Sequence, residues 1–279
     1  MFEKIQDKGK EIISLFKVAG ISFGENQCSL WASSIAYFSI FAIFPLSLFL
    51  LSIGSEYLES LATRQAINTV IDEFVPFASS QINNIIDQSL ESRGSVTLLA
   101  MIGLWWSSSS VFGILESGLC KIWGVRPRTY WRRRLLAAVV IMTIGVIFMI
   151  SFSIGPIVSI IWKATDTPYQ IYFNVFIDYF LSILAAYLLF RIFPNRNVSA
   201  KPALIGSVIV VAAIQIAKTI FFAIMDSAFV NYGAVYGSLA WMVALGIYIL
   251  VVMIIFFFSA ELTAAIERIY FRDRSIDLS

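Results

Sequence analysis

Residues 236–260 read YGSLAWMVALGIYILVVMIIFFFSA and contain no Asp, Glu, Lys or Arg. A helix rises about 1.5 Å per residue, so this stretch outruns the roughly 30 Å hydrocarbon core of a bilayer. A helix apolar on every face is either buried all round or surrounded by lipid. We read 236–260 as a membrane span, and it sets the frame for the rest of the chain.

Five further apolar stretches precede it, near 29–54, 95–116, 135–162, 171–193 and 203–225. Each is long enough to span. No alternation of about ten residues recurs, which argues against a β-barrel. The whole chain agrees: 59% of its 279 residues are hydrophobic and 14% charged, with a mean hydropathy of +0.82. A soluble domain is nearer 45–50% apolar and about 25% charged. Soluble enzyme classes therefore drop out, and the fold class expected is all-α: a polytopic membrane protein with six transmembrane helices.

The distribution of Lys and Arg sets the orientation. Six spans place Lys4, Lys8, Lys10, Lys17, Lys121, Arg126, Arg128, Arg132, Arg133, Arg134, Arg191, Arg196, Lys201, Arg268, Arg272 and Arg274 on one face. Only Arg64, Arg93 and Lys163 fall on the other, and Lys218 lies inside a span. Both termini are expected in the cytoplasm. The first residues, MFEKIQDKGKEIISLFK, lack the apolar run and cleavage site of a signal peptide.

Residues 1–27 read as an amphipathic helix at the inner interface, with Phe2, Ile5, Gly9, Ile12, Phe16, Ala19 and Phe23 on one face. Residues 28–262 form the transmembrane domain and 263–279 a cytoplasmic tail. Within the domain, 55–94 reads as a helical outer hairpin broken at Pro76, acidic and placed to cap an outward opening. Residues 163–170 and 226–235 read as short outer connections.

Several segments, in order, resemble one family. They are SSIAYFSIFAIFPL (33–46), WWSSSSVFGILESGLCKIWGV (105–125) with WRRRLL (131–136), FRIFPNRNVSAKPALIGS (190–207), YGAVYGSLAWMVALGIYI (232–249) and FFFSAELTAAIE (256–267). From Phe23 to Arg268 the chain is similar to the BrkB/YihY family of bacterial inner-membrane proteins, formerly assigned as ribonuclease BN. The resemblance implies six transmembrane helices with cytoplasmic termini, and a transport role.

The polar minority inside the spans carries the candidate chemistry, because ionisable groups there are costly and usually face partners or water. Asp178 lies thirteen residues before Arg191, roughly 20 Å along the helix, and Lys218 lies fifteen after Ala203, roughly 22 Å. We expect the two at one level in the outer half of the membrane, as an ion pair or the lining of a wet cavity. Asn174 and Gln215 sit within a turn of them. A pair that merely fixes helix register is the plainer reading. Pro45 and Gly155-Pro156 are expected helix breaks at similar depth, whose freed carbonyls would face that cavity. Ser107 and Ser108, within Ser107–Ser110, suit close helix packing or a polar path. Glu116, Arg191 and Glu261 lie near the inner boundary and read as a cytoplasmic latch or a static anchor of helix ends.

The chain has no histidine and only two cysteines, Cys28 and Cys120. That removes Ser–His and Cys–His catalysis, His-based zinc sites and a disulfide scaffold. No GxxxxGK[ST] phosphate loop is present. We therefore expect no enzyme, metal or cofactor. The function expected is transport of an anionic or amphiphilic, lipid-like solute through an outward-facing cavity between helices. A membrane scaffold that recruits a partner is the alternative. A ribonuclease is disfavoured, since orientation already explains the basic residues. The partners implied are membrane lipids and that solute, without nucleic acid; a homo-oligomer is compatible with the sequence.

Overall fold

The computed structural model describes residues 2–58, 68–69, 79–80, 84, 97–129, 131–132, 135, 139, 143, 169–236 and 238–270. Among the described residues there are helices and no strands. In chain order they are α1 (Phe2–Glu25), α2 (Cys28–Leu58), α3 (Thr97–Ile122), α4 (Tyr169–Ile192), α5 (Ala200–Tyr236) and α6 (Ser238–Tyr270). Among the described residues, two segments are long and apolar enough to cross a membrane, Ala200–Met225 of α5 and Met242–Tyr270 of α6. Most of the hairpin 55–94 and of the stretch 135–162, with Gly155 and Pro156, lies outside the described residues.

Two boundaries differ from the sequence reading. Residues 226–235 read as a connection, but α5 runs through them to Tyr236. The segment DSAFVNYGAV has no proline, and one interior Gly233 costs a helix only about 1 kcal/mol. α6 likewise continues past the expected start of a tail at 263, because Thr263, Ala264, Ala265, Ile266 and Glu267 are all buried. Pro45 lies within α2, which is helical on both sides of it.

The described residues divide into two compact units. The first takes those within 1–29, 115–215 and 254–279; the second takes those within 30–114 and 216–253. In the first, α1 lies on α6: Ala19, Leu262 and Ile266 form a buried cluster flanked by Leu15, Ile209 and Phe258. Phe16 and Phe23 each bring their rings to 6.1 Å from Phe258. This uses part of the apolar face read from the sequence, while Ile13, Phe16 and Ile21 stay exposed. Helices α5 and α6 cross at Gly206. A Cβ on that residue would lie 1.8 Å from Oγ1 of Thr263, whose hydroxyl donates to the Ser259 carbonyl at 2.7 Å. Lipid supplies no hydrophobic drive between helices, so contact at small residues is what holds such crossings.

In the second unit, aromatic pairs set the packing. Phe38 meets Trp106 edge-on at 5.8 Å, and Tyr248 lies 5.2 Å from Phe221 and 5.8 Å from Phe222. Gly246 sits beneath Ile40, whose Cδ1 would be 2.7 Å from an added Cβ. Along α5 as a whole, Leu204, Val208, Ile216, Ile220 and Ile224 are exposed at intervals of four or eight residues, an apolar stripe of the kind that faces lipid.

Candidate functional site

Among the described residues, a polar network lies in the first unit, where helix ends meet, and a short turn builds it. α3 stops because Gly124 adopts φ 66°. The Val125 amide donates to the Cys120 carbonyl at 2.9 Å and the Gly124 amide to the Lys121 carbonyl at 3.1 Å. These two bonds are a Schellman motif, whose left-handed residue is usually glycine. The turn sends Val125–Arg128 back along α3. The Arg128 amide then donates to Oε1 of Glu116 at 3.1 Å, and its guanidinium lies 3.4 Å from the same oxygen.

The Arg128 guanidinium also closes the end of α4. It donates to the carbonyls of Phe193 at 2.7 Å, Ile192 at 3.0 Å and Pro194 at 3.3 Å. A helix C-terminus leaves carbonyls unpaired and carries partial negative charge, so a cation is favoured there. Glu116 is 1% exposed; a carboxylate buried to that depth needs such a partner.

Glu267, near the end of α6, gathers two other segments. The Trp123 indole donates to its Oε2 at 2.9 Å and the Ser199 amide to its Oε1 at 2.9 Å. Arg196 lies 3.7 Å away. Ser199 immediately precedes α5, so Glu267 satisfies a backbone donor at that helix start. Arg268 donates to the Ile122 carbonyl at 2.5 Å and caps α3. About two turns earlier, Glu261 accepts from Asn26 Nδ2 at 2.6 Å and from the Cys28 thiol at 3.6 Å. Cys28 and Cys120 are both buried thiols outside any disulfide.

Beside this network is a cleft of about 680 Å³ lined by Arg128, Tyr187, Leu188, Arg191, Ile192, Asn195, Arg196 and Asn197. Arg191 lies over the Tyr187 ring, 5.7 Å from its centroid, and donates to the Tyr187 hydroxyl. Asn195 donates to the Arg126 carbonyl at 3.1 Å.

The residues singled out in the sequence are distributed as follows. Glu116, Arg191 and Glu261 each have a separate partner, Arg128, Tyr187 and Asn26 respectively. Asp178 is exposed on α4 in the first unit, with Asn174 one turn away on the same helix; Lys218 is half-buried on α5 in the second. Gln215 is half-buried on α5. Ser107 is buried in α3, which also carries Ser108. Sequence reasoning misses Arg128, Trp123 and Glu267 as functional residues. Arg128 reads there as one of many orienting charges, and Glu267 falls in the expected tail. The WGV of 123–125 is nonetheless a helix-stop signal that brings Arg128 back. No group of three or more Cys, Asp or Glu among the described residues is placed to hold a metal.

The family model described as Virulence factor BrkB matches residues 21–277. The chain belongs to the BrkB family. A family relative from Mannheimia succiniciproducens, named a UPF0761 membrane protein, is 24% identical over 264 residues, 90% of this chain and 89% of its own length. Another from Aliivibrio salmonicida, under the same family name, is 25% identical over 86% of this chain and 79% of its length. A third, from Acinetobacter baylyi, is 24% identical over 78% of this chain, and the match spans about half of that relative, 54%. No solved structure matches the chain. The BrkB family and the apolar α5 and α6 together make this a membrane protein.

Proposed function

We propose that this protein is a six-span inner-membrane transporter with both termini in the cytoplasm, moving an anionic or amphiphilic, lipid-like solute between its helices without enzymatic chemistry. The observation that supports this most is the place of Lys218. It lies eighteen residues past Ala200 in α5, about 27 Å along the axis, within the segment apolar enough to cross a membrane. A cation at that depth is expensive and usually marks a path for charge. Its Nζ lies 5.9 Å from the centroid of Phe222, whose face stabilises a cation where water is scarce.

In this reading Asp178 is a second charge that transport depends on, and Asn174, Gln215, Ser107 and Ser108 are polar groups that serve it. Pro45 opens the path outward. Glu116, Arg191 and Glu261 belong to its inner end. Energy comes from an ion gradient or a partner.

The test is purified protein in liposomes, with movement of a fluorescent anionic phospholipid analogue read by surface quenching. Wild type is expected to move it well above protein-free vesicles. Lys218→Met and Asp178→Asn are each expected to slow it roughly tenfold, the effect of about 1.4 kcal/mol. Wild-type movement at the protein-free rate overturns the proposal and favours a scaffold.

A further inference from the structure

The eight residues lining the α4 cleft include three arginines, two asparagines and a tyrosine, and no acid. Its wall is built on a pinned connection. Phe193, Pro194 and Val198 are buried, while Asn195, Arg196 and Asn197 between them are exposed. The loop is therefore anchored by its apolar residues and projects its polar ones. Leu188 and Ile192 add an apolar flank.

The three guanidiniums are differently engaged. Arg128 directs its donors to three carbonyls and Glu116. It thereby covers the negative end of α4, which would otherwise repel an anion. Arg196 stands 3.7 Å from Glu267 with its side chain 42% exposed. Arg191 leans on a neutral phenol and is exposed. Even with Glu116 and Glu267 set against Arg128 and Arg196, the charge of Arg191 is left over at the mouth. A guanidinium offers five N–H donors in a planar fork that matches tetrahedral oxyanions. Arg191 is also the first charged residue after the uncharged run Tyr179–Phe190 of α4. The end of such a run is the level at which a lipid phosphate would lie.

We propose that this cleft binds a phosphate oxyanion, free or as a phosphate ester, through the guanidiniums of Arg191 and Arg196. The proposal stands apart from the transport reading, since a protein that moves nothing can still hold a phosphate there. Two sources share this chemistry, an anionic lipid headgroup and inorganic phosphate.

The test uses the full chain purified in neutral detergent. Retained phosphatidylglycerol is counted by native mass spectrometry against phosphatidylcholine, and inorganic phosphate is titrated by calorimetry. Arg191→Gln, Arg191→Gln/Arg196→Gln and, as a charge control away from the cleft, Lys201→Gln are compared, with the melting temperature of each recorded. Wild type is expected to bind at least one probe, with affinity falling roughly tenfold per arginine removed, as for a lost charge-assisted contact. Lys201→Gln is expected to bind as wild type does. Retention of phosphatidylglycerol alone assigns the site to a lipid, and binding of phosphate alone assigns it to a free anion. Binding of neither, or an equal loss in Lys201→Gln, overturns the proposal. Should the double variant fail to fold, Arg191→Gln decides, because its partner Tyr187 lies on the same helix.

Discussion

Gly206 lies directly beneath Thr263: a Cβ on the glycine would come within 1.8 Å of Oγ1 and 3.0 Å of Cβ of the threonine. The backbone of α5 thus approaches α6 as closely as a side chain allows. Gly206→Ala is expected to force the helices apart and destabilise the protein by about 1–3 kcal/mol, the usual cost of overpacking. Thr263→Ala removes the nearest atom, so the pair Gly206→Ala/Thr263→Ala is expected to recover part of the loss. Melting temperatures in detergent for the two single variants and the double variant check this.

Gly124 has open space around it, with nothing within 4 Å of an added Cβ, but a φ of +66°. Gly124→Ala is therefore expected to cost about 1–2 kcal/mol through backbone strain alone. Gly124→Asn is expected to cost less, because Asn tolerates this conformation. Equal melting temperatures for the alanine variant and wild type would contradict the account of the turn.

Arg128 serves both Glu116 and the end of α4. Arg128→Ala is expected to cost about 3 kcal/mol, since it leaves a buried carboxylate without its cation. Arg128→Ala/Glu116→Gln is expected to cost less than the sum of the single changes. A double-mutant cycle with coupling near zero would show that the two side chains do not act together.

Trp123→Phe keeps an aromatic ring and deletes the indole donor to Glu267. A loss of about 1–3 kcal/mol is expected, the penalty for an unsatisfied buried acceptor. In Trp123→Phe/Glu267→Leu that acceptor is gone, but the Ser199 amide loses its partner, so no recovery is expected. Chemical denaturation of the three variants distinguishes the outcomes.

The apolar run of α6 is legible at once, because 236–260 has no charge to interrupt it, and α5 is legible from an apolar run that the charge of Lys218 alone interrupts over 203–225. The ends are not. Residues 226–235 contain Asp226, Asn231 and Gly233, which suggest a turn, yet apolar neighbours carry the helix through. Glu116, Arg191 and Glu261 are legible as charged residues near the ends of apolar runs. Their partners are not, because depth says nothing of direction. The φ of one glycine selects Arg128 for Glu116, and a helix longer than its apolar core carries Glu267 to Trp123 and Ser199.

The bonds at this end of the protein join residues far apart in synthesis. Asn26 meets Glu261 across 235 residues, and Trp123 meets Glu267 across 144. The carbonyls that Arg128 covers follow it by 64 to 66 residues. A ribosome therefore delivers the turn, the cap and the start of α5 well before the carboxylates that complete them. Until α6 has emerged, the Asn26 amide, the Trp123 indole and the Ser199 amide have no Glu261 or Glu267 to meet. Completion of α6 is thus the event that closes the assembly, and a nascent chain stalled before it would present these donors to quality-control proteases.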